Sequence, residues 1–266
     1  MIRLALRVDR ARAEAVLADL LDLAPGGVEE VDRGEVIEYA VYGPPGELPE
    51  LPDLAAAAGG ALVEVITEDL ADDWAERWRA FHRPVLVGGR AWVRPPWEPP
   101  RPGRLDLVID PGQAFGTGAH PTTRLCLELL LARPGGGGSL ADLGCGSGVL
   151  AVAAAKLGHA PVLAVDHDPA AVAATVANAR VNGVSLQARR VDLRREPVPA
   201  AETVVANLLR PLLLEIAPRV GARRLIASGL LREEAGEVAA AYAGMREAGR
   251  LTDGEWVALD LVAAVP

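Results

Sequence analysis

Ala141-Asp142-Leu143-Gly144-Cys145-Gly146-Ser147-Gly148-Val149-Leu150 is the stretch that decides the fold of this chain. It reads as the end of a buried strand, three glycines at alternate positions, and the start of an alanine-rich helix that runs to Lys156. Gly144, Gly146 and Gly148 let the backbone turn tightly and approach a ligand that any Cβ would block. The stretch therefore predicts a strand–turn–helix unit of an α/β fold, with a ligand beside the turn.

An acidic residue follows this turn at the spacing that nucleoside-binding folds use. Asp166 ends the next apolar run, Leu163-Ala164-Val165, twenty-two residues after Gly144. A carboxylate at the tip of the neighbouring strand can accept hydrogen bonds from both hydroxyls of a ribose. The spacing therefore predicts a ligand that contains a nucleoside.

The glycine spacing separates two classes of such ligands. Dinucleotide enzymes use G-x-G-x-x-G, because a pyrophosphate needs the N-terminus of the helix. This chain has G-x-G-x-G with Asp142 just ahead of it. A carboxylate there would repel a pyrophosphate but suits the ammonium group of an amino acid. The pattern favours S-adenosyl-L-methionine over a nicotinamide cofactor, and a nicotinamide dehydrogenase is the weaker alternative.

The amino-acid composition is that of a globular protein, and the net charge favours some classes of binding partner over others. The 266 residues, 50% of them hydrophobic, are enough for one large or two ordinary domains. A net charge of −9 argues against a general nucleic-acid binder and fits a lysine-rich partner. Cys126 and Cys145 lack metal-ligand spacing and indicate a reducing compartment. We expect a soluble, cytoplasmic monomer with no metal site, signal peptide or membrane span.

Residues 1–66 predict a small α+β unit. Ile2 to Val8 alternates apolar and polar residues as a half-buried strand does, and Asp9 can cap a helix that buries Val16 and Leu20. Further strands are expected at 28–31, 35–42 and 61–66, and a second helix at 52–58. This order is typical of a ferredoxin-like unit. Nothing in it has a catalytic pattern, so it is expected to position a partner or substrate, with a purely structural role as the alternative.

Residues 67–100 are predicted to form a packed linker. A helix from Asp69 to Phe81 carries two tryptophans and a phenylalanine in one apolar stripe, which favours a core role. Pro84 to Val93 reads as a hairpin around two glycines, and the proline-rich segment 95–100 as a stiff spacer. The domain boundary is therefore expected near position 100.

Residues 101–266 alternate between strand and helix patterns, which predicts a seven-stranded Rossmann-like domain of the doubly wound kind that methyltransferases use. The predicted helices are 121–132, 148–157, 169–181, 209–219 and 231–244. A short strand is expected at 105–109, and the seven others are one that opens at Leu140 and those at 161–165, 185–191, 202–206, 223–228, 245–251 and 255–262. Ligands of such sheets bind at the carboxyl ends of the strands, where the strand order reverses.

The glycine-rich segment from Asp110 to Thr123 carries candidate donor-binding residues. Phe115 is a large apolar group that could cover a bound adenosine or methionine end. Thr122 and Thr123 stand near the start of a helix, where a hydroxyl can cap the helix or bind a ligand carboxylate. His120 could act as a base, although its place ahead of a proline also suits a turn.

Three other strand tips hold polar candidates. Asn207 follows Val204-Val205-Ala206, and its amide could orient a nucleophilic amine or bind the donor. Asp192 could meet the adenine amine or be a solvated loop acid, and Ser228 could line the substrate side. The segment Leu208-Leu209 lacks the Pro-Pro-aromatic sequence with which adenine and glutamine N-methyltransferases clamp a planar nitrogen. This absence disfavours a nucleobase or amide substrate.

Taken together, these motifs resemble those of the bacterial methyltransferases that modify protein eleven of the large ribosomal subunit. The resemblance spans about positions 70 to 260 and is most specific in the segment from Asp110 to Thr123. Its other elements are Trp74-(x3)-Trp78-(x2)-Phe81-(x2)-Pro84, Pro96-Trp97-Glu98, Asp142 to Gly148, Asp166-His167-Asp168-Pro169, Ala206-Asn207, Ser228-Gly229 and Glu255-Trp256-Val257. Residues 1–66 match in layout but carry no motif of the family.

The resemblance implies a protein N-methyltransferase that transfers methyl groups from S-adenosyl-L-methionine to lysine ε-amines and the N-terminal α-amine of that ribosomal protein. By motif match, donor contacts fall on Thr123, Gly144, Asp166 and Asn207. The N-terminal domain would recognise the free substrate protein. A methyltransferase for another protein or for a small-molecule amine is one alternative, and a non-catalytic donor-binding module is another.

Overall fold

The computed structural model describes residues 2–13, 16–17, 20, 28–43, 48, 58–69, 82–110, 118–132 and 138–264. The chain forms two compact units, Met1–His82 and Arg83–Pro266. The boundary expected near position 100 is therefore corrected to a position between His82 and Arg83. The predicted helix from Asp69 to Phe81 lies almost wholly outside the described residues.

The first unit contains a four-stranded antiparallel sheet. Its strands are β1 (Ile2–Asp9), β2 (Glu29–Asp32), β3 (Val36–Gly43) and β4 (Leu62–Asp69). They lie in the order β2-β3-β1-β4. Leu6 of β1 packs with Val16 and Leu20, which are helical and buried as the sequence predicts. The Asp9 carboxylate accepts the Ala11 N–H at 3.0 Å, the cap expected there. All but the last residue of the second predicted helix, 52–58, lie outside the described residues.

Residues 83–100 of the predicted linker 67–100 instead begin the second unit. With the residues that follow, they form a three-stranded sheet of β5 (Val85–Val87), β6 (Ala91–Arg94) and β7 (Leu105–Val108). β5 and β6 make the predicted hairpin, but β6 also pairs with β7 in parallel. Val93 and Leu107 are buried in the same core as Leu127 of the domain that follows. This shared core is the physical reason why the boundary precedes the hairpin.

A large, mostly parallel sheet forms the centre of the second unit. Its strands are β8 (Leu140–Leu143), β9 (Val162–Asp166), β10 (Gln187–Arg190), β11 (Thr203–Asn207), β12 (Arg224–Leu231), β13 (Met245–Asp253) and β14 (Trp256–Ala263). They lie in the order β10-β9-β8-β11-β12-β14-β13, and β14 runs antiparallel to both β12 and β13. The fold is thus the mixed α/β arrangement expected from the sequence, although the predicted strand 105–109 lies in the smaller sheet.

Helices cover both faces of this sheet. They are α1 (Pro121–Ala132), α2 (Val149–Lys156), α3 (Pro169–Val181), α4 (Arg210–Ile216) and α5 (Ala235–Ala241). Neighbouring residues of β8, Leu140 and Ala141, are buried in different core clusters, as a strand covered on both faces requires. α5 is shorter than the predicted helix 231–244 at both ends; at its start, β12 extends to Leu231 and a turn follows. In the part of the chain that the structure describes, none of the helices combines the length and apolar character needed to cross a bilayer.

The strand order reverses between β8 and β11. The chain passes from β8 through β9 to β10 at one edge, then returns to pair β11 with the other side of β8. The loops that follow β8 and β11 therefore leave the sheet in opposite directions and open a crevice between them. Gly144 begins the first of these loops, and Asn207 ends β11.

Candidate active site

The glycine turn, residues 144–148 between β8 and α2, packs closely against the rest of the domain. Gly144 and Gly148 have φ angles of 75° and 80°, in the left-handed region that L side chains rarely adopt. A Cβ on Gly148 would lie 2.7 to 2.9 Å from side-chain atoms of Thr175 in α3. The absence of a side chain is thus needed both for the turn and for its contact with α3.

Asp166 is held beside this turn by backbone hydrogen bonds. Its Oδ2 accepts the Gly146 N–H at 3.0 Å, and its Oδ1 accepts the Asp168 N–H at 3.0 Å. The residue is 8% exposed and lies at the end of β9. Each carboxylate oxygen has two lone pairs, so each retains acceptor capacity for a ligand hydroxyl. This geometry is compatible with the predicted contact to a ribose.

A crevice at the strand ends brings three of the predicted residues together. Gly144, Asp166 and Asp192, which follow or end three different strands, all line it. Its apolar lining includes Leu193 and Leu208. The Asp192 carboxylate accepts the Arg194 N–H at 3.0 Å and is partly exposed. An apolar crevice with acceptors at its rim suits a nucleoside.

Asp142 is fully buried beneath the glycine turn. Its Oδ2 accepts the Ala151 N–H in α2 at 3.1 Å, while its Oδ1 has no hydrogen-bond partner among the described residues. Burial raises the pKa of this carboxyl to about 7; the Ala151 N–H opposes the rise and the charge of Asp166 adds to it. A buried acceptor without a partner is costly, so Oδ1 is suited to a cationic ligand group or a water.

Asn207 contacts one of the two threonines predicted to bind the donor. The Asn207 amide donates to the Thr123 hydroxyl at 3.3 Å. The Thr122 hydroxyl lies 2.7 Å from His120 Nδ1 instead. Both threonines are buried in the first turn of α1. The sequence allowed either threonine to cap the helix or to bind a ligand; in the structure each hydroxyl contacts a side chain.

His120 is half-buried against an aromatic ring. Its ring centroid lies 5.1 Å from that of Trp256, edge to face. Burial lowers the pKa of the imidazole, and the neighbouring Arg124 guanidinium lowers it further. These contacts place His120 near Thr122, but its sequence-based role as a base stays a hypothesis.

The structure corrects the interpretation of Ser228. This residue is fully buried, and its hydroxyl donates to the Val257 carbonyl of β14 at 2.9 Å, so it does not line the substrate side. Its own carbonyl accepts the Leu208 N–H at 3.0 Å. Gly229 follows with φ of 87°, and a Cβ there would lie 2.4 Å from the Leu208 carbonyl oxygen. Ser228 and Gly229 thus support the turn that follows Asn207.

Sequence reasoning missed three residues that support the site. Leu208 covers Gly144, since a Cβ on that glycine would lie 2.4 Å from Leu208 Cδ2. Thr175 and Asn178 contact the glycine turn from α3. Buried polar residues inside a predicted apolar helix face are the signal that could have pointed to the last two. Phe115, a predicted donor-binding residue, lies outside the described residues.

Comparisons with known proteins identify the family of this chain. The family described as Ribosomal protein L11 methyltransferase (PrmA) matches residues 54–264. A protein of that name from Azotobacter vinelandii is 43% identical over 223 residues, which cover 79% of this chain and 75% of the relative. Another, from Bordetella bronchiseptica, is 39% identical over 289 residues, covering 91% and 93%.

A solved structure agrees as well. The crystal structure of ribosomal protein L11 methylase from Lactobacillus delbrueckii subsp. bulgaricus aligns with a TM-score of 0.61 at 26% identity. The alignment covers 69% of this chain and 98% of that one. With its glycine turn, the acid at the end of β9 and the asparagine at the end of β11, this chain belongs to the ribosomal protein L11 methyltransferase family, whose members depend on S-adenosyl-L-methionine.

Proposed function

We propose that the crevice beside β8, β9 and β11 binds S-adenosyl-L-methionine and that the chain methylates ribosomal protein L11. The observation that carries this proposal is the Asp166 carboxylate, fixed on the Gly146 N–H beside Gly144, with Asn207 at the adjoining strand end. The relatives named above act on L11 by name. Lysine ε-amines and the N-terminal α-amine are the proposed acceptors.

Each part of the donor has a proposed partner. The ribose hydroxyls would bind Asp166, and the ammonium group would reach the unpartnered Oδ1 of Asp142 through a water, because Asp142 itself is fully buried. The adenine amine would meet Asp192. A cation at Asp142 would remove the cost of burying its negative charge, which is why we assign the ammonium to this residue. The remaining proposed donor contacts are Phe115, Thr122, Thr123, Gly144, Gly146 and Asn207.

The proposed reaction is the displacement of a methyl group by a neutral amine. When bound, S-adenosyl-L-methionine supplies a methyl group already activated by a positively charged sulfur. The chain therefore needs to align the amine and the methyl rather than to generate a strong nucleophile. Asn207 is the proposed catalytic residue, because its amide, held by Thr123, can orient the incoming nitrogen.

The acceptor amine must lose a proton before it can react. A lysine with pKa of about 10.4 is almost wholly protonated at neutral pH. The crevice can favour the neutral amine by desolvation, since its lining includes Leu208 and Leu212. The proton would pass to water or to an oxygen of Asn207, and no obligatory base is assigned.

We assign substrate recognition to the N-terminal unit, with a ferredoxin-like fold for residues 1–66. The strand order β2-β3-β1-β4 and the helical residues packed on one face of the sheet support this fold. The net charge of −9 suits a lysine-rich substrate and disfavours direct binding of nucleic acid. We further propose that the chain acts as a monomer, and in the cytoplasm, because its two cysteines are free.

A transfer assay tests the function. The chain is incubated with methyl-labelled S-adenosyl-L-methionine and purified L11, and mass spectrometry should show L11 gaining mass in steps of one methyl group. L11 whose amines have been acetylated should gain none. Labelling of a small-molecule amine, or of another ribosomal protein in preference to L11, would contradict the proposed substrate. Donor binding without any transfer would instead identify a non-catalytic module.

A further inference from the structure

One face of α3 carries three polar side chains that point into the domain. Thr175, Asn178 and Asn182, the C-cap, are spaced by three and four residues and so share a face of the helix. Thr175 is fully buried and Asn178 is 3% exposed. Buried polar side chains at helix-interior positions need partners, and here they bind backbone groups of two other segments, with the Thr175 hydroxyl also 3.3 Å from Cys145 Sγ.

The first segment is the glycine turn. The Thr175 hydroxyl donates to the Gly146 carbonyl at 3.0 Å, and the Asn178 amide donates to the Ser147 carbonyl at 2.8 Å. Peptide units in glycine-rich turns can rotate at low cost, because glycine adopts both signs of φ. Fixing these two carbonyls toward α3 therefore fixes the 146–147 and 147–148 peptide units, which directly follow the Gly146 N–H that binds Asp166.

The second segment is the end of β7 together with Asp110, the first residue of the segment from Asp110 to Thr123. The Asn178 Oδ1 accepts the Asp110 N–H at 3.1 Å. Asn182 holds the same strand through Val108, whose N–H it accepts at 3.0 Å and whose carbonyl accepts its amide at 2.6 Å. Asn182 forms no hydrogen bond to the glycine turn among the described residues.

The orientation of the Asn178 amide is set by its partners. The Ser147 carbonyl can only accept and the Asp110 N–H can only donate, so the side chain must present its nitrogen to one and its oxygen to the other. An ionised aspartate at this position would lose the donor, and a leucine would lose both groups. An amide of this length is therefore the side chain that satisfies both segments at once.

We propose that Asn178 is a positioning residue for donor binding, which holds the glycine turn and Asp110 in register. It acts through the donor site proposed above, because the turn that it fixes carries the Gly146–Asp166 contact. Removal of its amide takes away one hydrogen bond to the Ser147 carbonyl and one to the Asp110 N–H, so the side chain no longer ties the glycine turn to the end of β7.

The matched variants Asn178→Leu and Asn182→Leu test this role. Both remove hydrogen bonds to the β7 region from the same face of α3, but only the first also releases the glycine turn. We expect Asn178→Leu to weaken S-adenosyl-L-methionine binding about tenfold or more by calorimetry, and Asn182→Leu to change it by less than about threefold. With saturating donor, KM for L11 should stay unchanged in both variants, which a general loss of structure would not produce.

Equal donor affinity in the two leucine variants, at matched thermal stability, would overturn the inference. If Asn178→Leu does not fold, Asn178→Asp is compared with Asn182→Asp in the same way. A calorimetric titration of the wild-type chain with S-adenosyl-L-methionine distinguishes this inference from the proposed function. Failure of the wild-type chain to bind the donor would overturn the proposed donor site. Binding by the wild type, with no selective loss of affinity in the Asn178 variant, would overturn only the positioning role.

Discussion

The Asn207 side-chain amide donates to the Thr123 hydroxyl at 3.3 Å and thereby joins the end of β11 to the first turn of α1. The two residues are separated by 84 positions in the chain. Thr123 is buried, so its hydroxyl has a fixed position, and rotation of the amide would break the contact. Asn207 is therefore presented at the strand end in one orientation.

Removal of either member of this pair should reduce turnover. We expect Asn207→Ala to lower kcat about 100-fold with a smaller effect on donor binding, because alignment of the amine is lost. Thr123→Val keeps the shape but loses the acceptor, and should lower kcat about tenfold. The double variant should be no worse than Asn207→Ala, since the two residues act as a unit. Unchanged turnover with weakened donor binding would reassign Asn207 to the donor.

Alanine variants at two neighbouring aspartates should distinguish an effect on donor binding from an effect on the stability of the fold. Asp166→Ala removes the proposed ribose contact and should weaken donor binding about 100-fold in a calorimetric titration. Asp168→Ala is the control, because Asp168 caps α3 by accepting the Ala170 N–H at 2.8 Å. That variant should lose about 1 kcal/mol of stability and keep its donor affinity. Similar affinity losses in both variants would contradict a specific role for Asp166.

Asp142 should make the stability of the donor-free chain fall with rising pH. Burial raises the pKa of this carboxyl from its ordinary value of 3.8 to about 7. Below pH 3.8 the carboxyl is mainly protonated in both the folded and the unfolded chain. Between pH 3.8 and about 7 it ionises mainly in the unfolded chain, so the unfolded chain is favoured. Above pH 7 or so the folded chain also carries the buried negative charge. The decrease in unfolding free energy across this range is at most about 4 kcal/mol.

Denaturant titrations without donor, repeated across this pH range, measure the effect. Asp142→Asn cannot ionise, so its stability should depend less on pH than that of the wild type. Because a bound ammonium group favours the carboxylate, donor affinity of the wild type should rise as pH increases toward and past 7. Identical pH slopes for the variant and the wild type would show that Asp142 does not titrate in the folded chain.

Gly229 should tolerate no side chain. Its φ of 87° and the 2.4 Å approach to the Leu208 carbonyl oxygen mean that Gly229→Ala must move the backbone next to Asn207. We expect a loss of about 2 to 3 kcal/mol in thermal or chemical unfolding, together with reduced kcat.

Gly236→Ala is the matched control for this substitution. Gly236 lies inside α5 with open space around the added methyl group. The change should raise stability by up to about 1 kcal/mol and leave kcat unaltered. A Gly229→Ala variant as stable and active as wild type would show that the turn after β11 can shift freely.

The local elements were predictable because their signals are local. Pro121–Ala132 was expected with the same bounds, and the cap at Asp168 marked the start of α3. The boundary near position 100 was wrong because it depended on a long-range pairing. β6 pairs with β7 in parallel across an intervening segment, and no composition change in the sequence marks that contact.

The sequence by itself determined where the chain turns and which residue types stand at the strand ends: the glycines at positions 144, 146 and 148, the acid at 166 and the asparagine at 207. Only the tertiary structure decided what those residues contact. Asp142 is buried rather than exposed to the crevice, the Ser228 hydroxyl turns to β14, and Asn178 joins two distant segments. The physical reason is that turn geometry follows from a few adjacent residues, whereas burial and hydrogen-bond partners depend on which strands and helices meet in space.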